Sequence, residues 1–351
     1  MRDNEAVPDL ATFGWDDGWS AAFEPHRDQG LIPGRVAVQH RGEYDVVTAE
    51  GELRAKIAPR LRRGSSVAEL PVVGDWVALD TDSVIQAVLP RRTAFSRRAA
   101  HDPASGAARE QVIAANVDVV FIAVSLGQEL DRRLLERYVT LALESGARPV
   151  IVLTKADLEP DAEAVVSELS GIGGEIPVHA VATKAGIGVE GVRSYLAPGV
   201  TGALLGPSGA GKSTLVNALF GDEGLLETGD VRADGAGRHT TTRRQLVQLP
   251  NGGLIIDNPG MREVHLWLAE GGLAEAFEDI VELAAECRFS DCSHETEPGC
   301  AVQAALADGR LARERWESFR ALERELAELA ERLERRDRSR TRRGRPSAGA
   351  S

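Results

Sequence analysis

Cysteine is scarce in this sequence. The chain holds three in 351 residues, all within "CRFSDCSHETEPGC" from Cys287 to Cys300. So small and clustered a set argues against a disulfide framework and for a reducing cytoplasm. No apolar run is long enough to cross a membrane, which takes about 20 residues. The longest, "VDVVFIAVSL" from Val117 to Leu126, reads as a buried strand of a parallel sheet. The first thirty or so residues are acidic and lack an apolar core, so no secretory leader is expected. Lysine is nearly absent. Of 41 basic residues only Lys56, Lys155, Lys184 and Lys212 are not arginine. A compact ammonium on a flexible stem fits tight sites that a guanidinium cannot enter. No internal repeat is present.

Charge is abundant and uneven. The net charge of −13 taken alone speaks against nucleic acid as a partner. From Arg35 to Arg98, however, 11 Lys and Arg face 8 Asp and Glu, with Arg60, Arg62, Arg63, Arg91, Arg92, Arg97 and Arg98 supplying much of the excess. The tail "RRDRSRTRRGR" from Arg335 to Arg345 carries seven arginines and one aspartate. Basic segments on an acidic chain suit local polyanion contacts, and also suit solvated surface.

Residues 1–30 show no clear period and read as a loosely ordered acidic arm. Residues 31–105 contain short alternating stretches, "RVAVQH", "YDVVTA", "ELRAKIA", "DWVALD" and "VIQAVL". Five such strands suit an OB-fold barrel, with an SH3-like barrel as the competitor. From 106 to 266 strands and helices alternate, which predicts an α/β domain on a parallel sheet. Residues 267–334 read as a helical unit around the cysteines, and 335–351 as a basic disordered tail.

Chemistry concentrates in four stretches. "GPSGAGKST", Gly206 to Thr214, matches G-x-x-x-x-G-K-[ST] between a strand and a helix. In such a loop the backbone N–H groups of Gly206, Pro207's successor Ser208, Gly209, Ala210, Gly211 and the helix start cradle phosphate. Lys212 reaches the β- and γ-phosphates, and the hydroxyl of Ser213 serves Mg²⁺. "LIIDNPG" supplies Asp257 at a strand end, for the Mg²⁺ water, and Gly260, whose N–H can sense the γ-phosphate. Between them "GRHTTTRR" offers Thr240, Thr241 and Thr242 as switch threonines; Thr241 stands for the group among the candidate catalytic residues, with Lys212 and His239. Met261, after Gly260, cannot orient a water as a glutamine would, so slow intrinsic hydrolysis is expected.

"VIVLTKAD" supplies Thr154, Lys155 and Asp157 after a buried strand, matching [NT]-K-x-D. Its carboxylate accepts from guanine N1–H and N2, a pair that adenine does not present, which opposes an ATPase. "VATKAG" is a weaker match to a second base-contacting loop, around Ala182 to Lys184. Both precede the phosphate loop, whereas an ordinary GTPase carries them after it. The order predicts a circularly permuted GTPase domain that uses magnesium with GTP. Its downstream segment then runs straight into the cysteine unit, so a shift at Gly260 would pull on that unit.

Cys287, Cys292, His294 and Cys300 have the spacing C-x₄-C-x-H-x₅-C. Three thiolates and an imidazole form a closed tetrahedral shell that suits one structural zinc, while iron–sulfur clusters usually take four thiolates.

With "TKAD", "GPSGAGKST", "GRHTTT", "DNPG" followed by "MRE", and "CRFSDCSHETEPGCAV", the chain resembles the RsgA (YjeQ) family of small-ribosomal-subunit-dependent GTPases, over about residues 30 to 325. The resemblance implies GTP hydrolysis to GDP stimulated by the small ribosomal subunit, late in that subunit's maturation, with rRNA contacts through the barrel and zinc domain. Thr154 departs from the family's more usual asparagine, and Ala182–Lys184 from its Ser-Ala-Lys-like loop. A monomer without membrane attachment is expected. The alternative reading is a GTP hydrolase or switch that acts on a protein partner without RNA.

Overall fold

The structure, a computed structural model, describes residues 9–64, 66–98, 110–127, 130–170, 176–221, 244–257 and 270–343. Residues 9–30 differ from the loosely ordered arm expected of them. A 3-10 turn, Leu10–Phe13, leads into helix α1 (Asp17–Arg27), and the carboxylates of Asp9 and Asp16 cap the two starts by accepting from Ala11 N and Trp19 N. Trp19 and Phe23, four apart on α1, are buried beside Trp76 of the barrel, and Trp15 lies edge-on to Trp76 at 4.8 Å. Two apolar positions in an acidic helix of 11 residues make too short a stripe to register as a period.

The barrel follows. Strands β1 (Ile32–Gln39), β2 (Glu43–Thr48) and β3 (Gly51–Ile57) form an antiparallel meander; helix α2 (Pro59–Gly64) precedes β4 (Trp76–Leu79) and β5 (Val84–Val88). The order β1-β2-β3-β5-β4 closes through a β1–β4 ladder, with β3 and β5 parallel. This closed five-stranded barrel, with its helix between the third and fourth strands, is the OB arrangement, not the SH3-like one. Val36, Val46, Val77, Leu79 and Ile85 fill its interior. The basic stretch beyond it leaves the barrel: β6 (Ala94–Arg98) pairs with β7 (Glu110–Ala115) as a separate two-stranded ribbon.

The α/β domain comprises β8 (Val119–Ser125), α3 (Arg132–Glu144), β9 (Arg148–Thr154), α4 (Ala162–Leu169), β10 (Val178–Val181), α5 (Val189–Arg193), β11 (Thr201–Leu205), α6 (Lys212–Phe220), β12 (Arg244–Gln248) and β13 (Leu254–Asp257). Strand order is β10-β9-β8-β11-β13-β12, parallel except for β12. The central strands are apolar throughout because both faces are covered. Val120, Ile122, Ile151 and Leu153 face α3 and the C-terminal helices; Val119, Phe121, Val150 and Val152 face α5 and α6. The sheet does not stop at β12, which pairs antiparallel with barrel strand β1 and makes one sheet of 11 strands.

Arg35 ties three segments together. Its guanidinium donates to Gly74 O in the barrel, to Phe13 O before α1, and to Asn116 O and Thr201 Oγ1 of the α/β domain at 3.0 and 2.9 Å. Complete burial pushes its pKa down to about 10. Gly14, with φ +86°, lies so close to Gly199 that a Cβ there would sit 2.6 Å from the Gly199 carbonyl oxygen.

The C-terminal unit consists of α7 (Glu270–Ala276), α8 (Glu278–Ala285), α9 (Ala301–Asp308) and α10 (Arg313–Arg343). It is seated on α3. Gly272 N donates to Glu144 Oε2 at 2.7 Å, and a Cβ on Gly272 would meet Thr140 O at 2.5 Å. Arg315 bridges the buried Glu136 of α3 and Asp279 of α8. Helix α10 runs on to Arg343, so the part of the basic tail up to that residue is helical where disorder was expected. No described helix is long and apolar enough to cross a membrane.

Candidate functional site

The glycine-rich stretch from Gly206 to Thr214 joins the buried strand β11 to helix α6. Gly206, Gly209 and Gly211 all have positive φ, at 139°, 81° and 81°. At Gly206 the requirement is also spatial, since a Cβ would fall 2.3 Å from Ala123 O on β8. Pro207 is half-buried, Ser208 and Gly209 are exposed, and Ala210 is buried. Lys212 begins α6 and is buried; its Nζ curls back to donate to Gly206 O at 2.7 Å and Pro207 O at 2.6 Å. Ser213 and Thr214 follow in the first helical turn, half-buried. The loop therefore presents backbone N–H groups, a helix N-terminus and an ammonium at the C-terminal edge of a parallel sheet, an arrangement suited to phosphate.

The [NT]-K-x-D residues stand beside it. β9 ends at Thr154, which is fully buried, and its hydroxyl donates to Ala210 O at 2.7 Å, with Val124 O also within reach at 3.2 Å. A short polar side chain thus bolts one loop to the other. Lys155 adopts the left-handed conformation (φ 56°, ψ 39°), which turns the chain into the 3-10 turn Ala156–Leu158 and leaves Asp157 exposed to solvent. The weaker match also lands nearby. Val181 pairs with Thr154, so Ala182, Thr183 and Lys184 emerge from β10 beside the same edge, and an Ala182–Ile187 bridge closes their turn. Asp257 ends β13, next to β11, and is 8% exposed. His239, Thr240, Thr241, Thr242, Gly260 and Met261 lie outside the described residues.

A pairing the sequence does not reveal borders this site. Gln245, next to the start of β12, pairs with Asp257 on one side and with Val38 of the barrel on the other. Its partners lie too far apart in the chain for any local pattern to announce them.

Cys287, Cys292, His294 and Cys300 come together between the end of α8 and the start of α9. Their ligand atoms all lie within 4.8 Å of one another and could hold one metal ion. Cys300 is the N-cap residue of α9, and His294 adopts a left-handed conformation (φ 60°). The His294 Nδ1 lies 3.5 Å from both Cys287 Sγ and Cys300 Sγ, and Gln303 Nε2 donates to the His294 carbonyl at 2.6 Å. The Trp316 ring stands edge-on to the imidazole at 5.8 Å and packs the cluster against α10.

Comparison with known proteins agrees with this geometry. The family model described as RsgA GTPase matches residues 88–267. The small ribosomal subunit biogenesis GTPase RsgA of Opitutus terrae is 46% identical over 341 residues, 93% of this chain and 92% of that one. Its Streptomyces coelicolor counterpart is 45% identical over 351 residues, 97% and 93% of the two chains. The crystal structure of YjeQ from Thermotoga maritima superposes with a TM-score of 0.61 at 27% identity, over 85% of this chain and 99% of that one. YloQ, titled a circularly permuted GTPase, shares the fold with a TM-score of 0.58 at 21% identity, over 85% and 96%. A permuted sheet that carries a phosphate loop and a TKxD loop bolted together, matched by relatives along almost the whole chain, makes this protein a GTP-hydrolysing enzyme that belongs to the RsgA GTPase family.

Proposed function

We propose that this GTPase acts in the biogenesis of the small ribosomal subunit, in the cytoplasm and as a monomer, and that the subunit and its rRNA stimulate its hydrolysis of GTP to GDP and phosphate. The observation that carries the reading is the Thr154–Ala210 hydrogen bond, which brings base-reading and phosphate-binding loops together on a chain so similar to named biogenesis GTPases.

Asp157, exposed at the end of the base-reading loop, would accept from guanine N1–H and N2. Residues Gly206 to Gly211 and the start of α6 hold the phosphates through backbone N–H groups. Lys212 donates to the β- and γ-phosphate oxygens, where charge builds as the bond to the γ-phosphate breaks. Ser213, Asp257 through a water, and one of Thr240, Thr241 and Thr242 would hold magnesium, which neutralises phosphate charge when bound. Gly260 N–H reads the γ-phosphate, and His239 serves the attacking water in place of the missing glutamine.

The cysteine cluster fits zinc. An ion with bonds of about 2.3 Å to sulfur and about 2.0 Å to nitrogen, in a tetrahedron, sets S···S near 3.8 Å and S···N near 3.5 Å. Three of the four ligand atoms have this spacing, 3.8 Å between Cys287 and Cys300 Sγ and 3.5 Å from each to His294 Nδ1, and with Cys292 all four lie within 4.8 Å of one another. Four protein ligands leave no open position, so the metal's role is structural.

The test is GTP hydrolysis by the purified protein, alone and with isolated small subunits, with Lys212→Ala as control. Stimulation that disappears in the variant is the expected result. Hydrolysis indifferent to subunits would leave the nucleotide site intact and favour a protein partner without RNA.

A further inference from the structure

The strand that follows the expected switch is held from the barrel side. β12 begins at Arg244, directly after "GRHTTTR", and of its five residues only Leu246 is buried. Its hold on the rest of the protein is therefore chiefly through its ladders. On one side Gln245 pairs with Asp257. On the other, Arg244 pairs with Gln39 and Gln245 with Val38, both on β1. Asp257, Gln245 and Val38 thus form one row across three strands, a span of about 10 Å.

The barrel is shaped for this contact. β1 pairs with β4 only as far as Arg35, and a bulge between Val36 and Val38 then redirects it. Bulges re-aim strands beside active sites. At the seam the Gln39 amide oxygen accepts from Arg244 Nη1 at 3.2 Å, and Gln39 stands directly opposite Tyr44 in the β1–β2 ladder. Tyr44 is 4% exposed and anchored in the barrel interior, so the backbone that carries Gln39 is paired to a strand fixed by the barrel core.

We propose that Gln39 is a positioning residue for the γ-phosphate side of the nucleotide site: through Arg244 and the β1–β12 seam, the barrel fixes the strand that places Asp257. The phosphate loop and the base-reading loop, which would serve both nucleotides, lie on other strands, so the seam weighs on GTP, whose γ-phosphate and magnesium β13 and Asp257 would serve, more than on GDP. Whatever displaces β1 then weakens GTP selectively, and by reciprocity GTP stiffens β1.

The experiment measures equilibrium affinity of the full-length protein for fluorescent GDP and for a fluorescent non-hydrolysable GTP analogue, with magnesium. Gln39→Ala should lower analogue affinity about 3- to 10-fold, the range expected for one lost hydrogen bond, and leave GDP affinity within 2-fold. Gln39→Glu, which offers Arg244 a carboxylate, should match or exceed wild type for the analogue. Adding Gln39→Ala to Arg244→Ala should cost nothing further. Equal losses for both nucleotides, unchanged affinity for both, or additive effects of the two alanines would each overturn the proposal.

Discussion

Replacing Thr154 by valine probes the bolt between the two proposed nucleotide loops. Valine keeps the shape of threonine and removes the donor. In the native site Thr154 Oγ1 lies 2.7 Å from Ala210 O. A methyl carbon approaches a carbonyl oxygen no closer than about 3.3 Å, so the loop must retreat by roughly 0.6 Å at Ala210. The Ala210 carbonyl also loses its hydroxyl donor in a buried setting, which costs about 1–3 kcal/mol, or about 5- to 150-fold in an equilibrium. Because Ala210 belongs to the phosphate loop, much of that cost should appear as lost GDP affinity. Equilibrium titration with fluorescent GDP, run beside thermal melting, measures it. The expected outcome is about a 10-fold loss for Thr154→Val, with Thr154→Ser, which keeps the hydroxyl, within about 2-fold of wild type. A valine variant that binds GDP as tightly as wild type while melting earlier would refute the reasoning, because the hydrogen bond would then serve folding alone.

Cys292→Ser, or a chelator added to the native protein, should release one equivalent of metal by elemental analysis and lower the helical signal of the C-terminal unit. GDP affinity should persist, because no metal-cluster residue belongs to the nucleotide loops. The Asp16 carboxylate, held down to about 2 chiefly by its hydrogen bonds from Arg92, contributes fully above pH 3.8 and loses its contribution as pH falls towards 2. The melting temperature of Asp16→Asn should therefore lie below wild type at pH 6 by the modest margin of a half-exposed pair, under about 1 kcal/mol, and the gap should close near pH 2.

The site was legible in the sequence where chemistry demands fixed spacing within a short stretch. Gly206 to Ser213, Thr154 to Asp157 and Cys287 to Cys300 each carry their candidate groups on one short stretch; the fold joins the first two through the Thr154–Ala210 hydrogen bond and brings the three thiols and His294 together. The barrel was legible as alternation, though its OB closure came only from the β3–β5 and β1–β4 ladders. What escaped was whatever depends on distant partners or on a few residues. Trp19 and Phe23 order the N-terminal helix by packing on Trp76, and nothing near them in sequence announces that surface. The β1–β12 seam joins Gln39 to Arg244, which no periodicity connects. The helical course of α10 through the arginines up to Arg343 follows from continuation of a helix already begun, whereas composition alone suggested disorder.

The buried Arg35 also constrains how the chain can be made. Two of the acceptors for its guanidinium, Asn116 and Thr201, lie 81 and 166 residues further along the chain. At a synthesis rate of about 5–20 residues per second, the second of these follows Arg35 out of the translating ribosome by roughly ten to thirty seconds. Until Asn116 follows, the guanidinium has only Phe13 O and Gly74 O, from chain already made, and two of its four acceptors are missing. The hydrogen bonding of Arg35 is complete only once Thr201 is in place, at the start of β11, the strand that leads into Gly206.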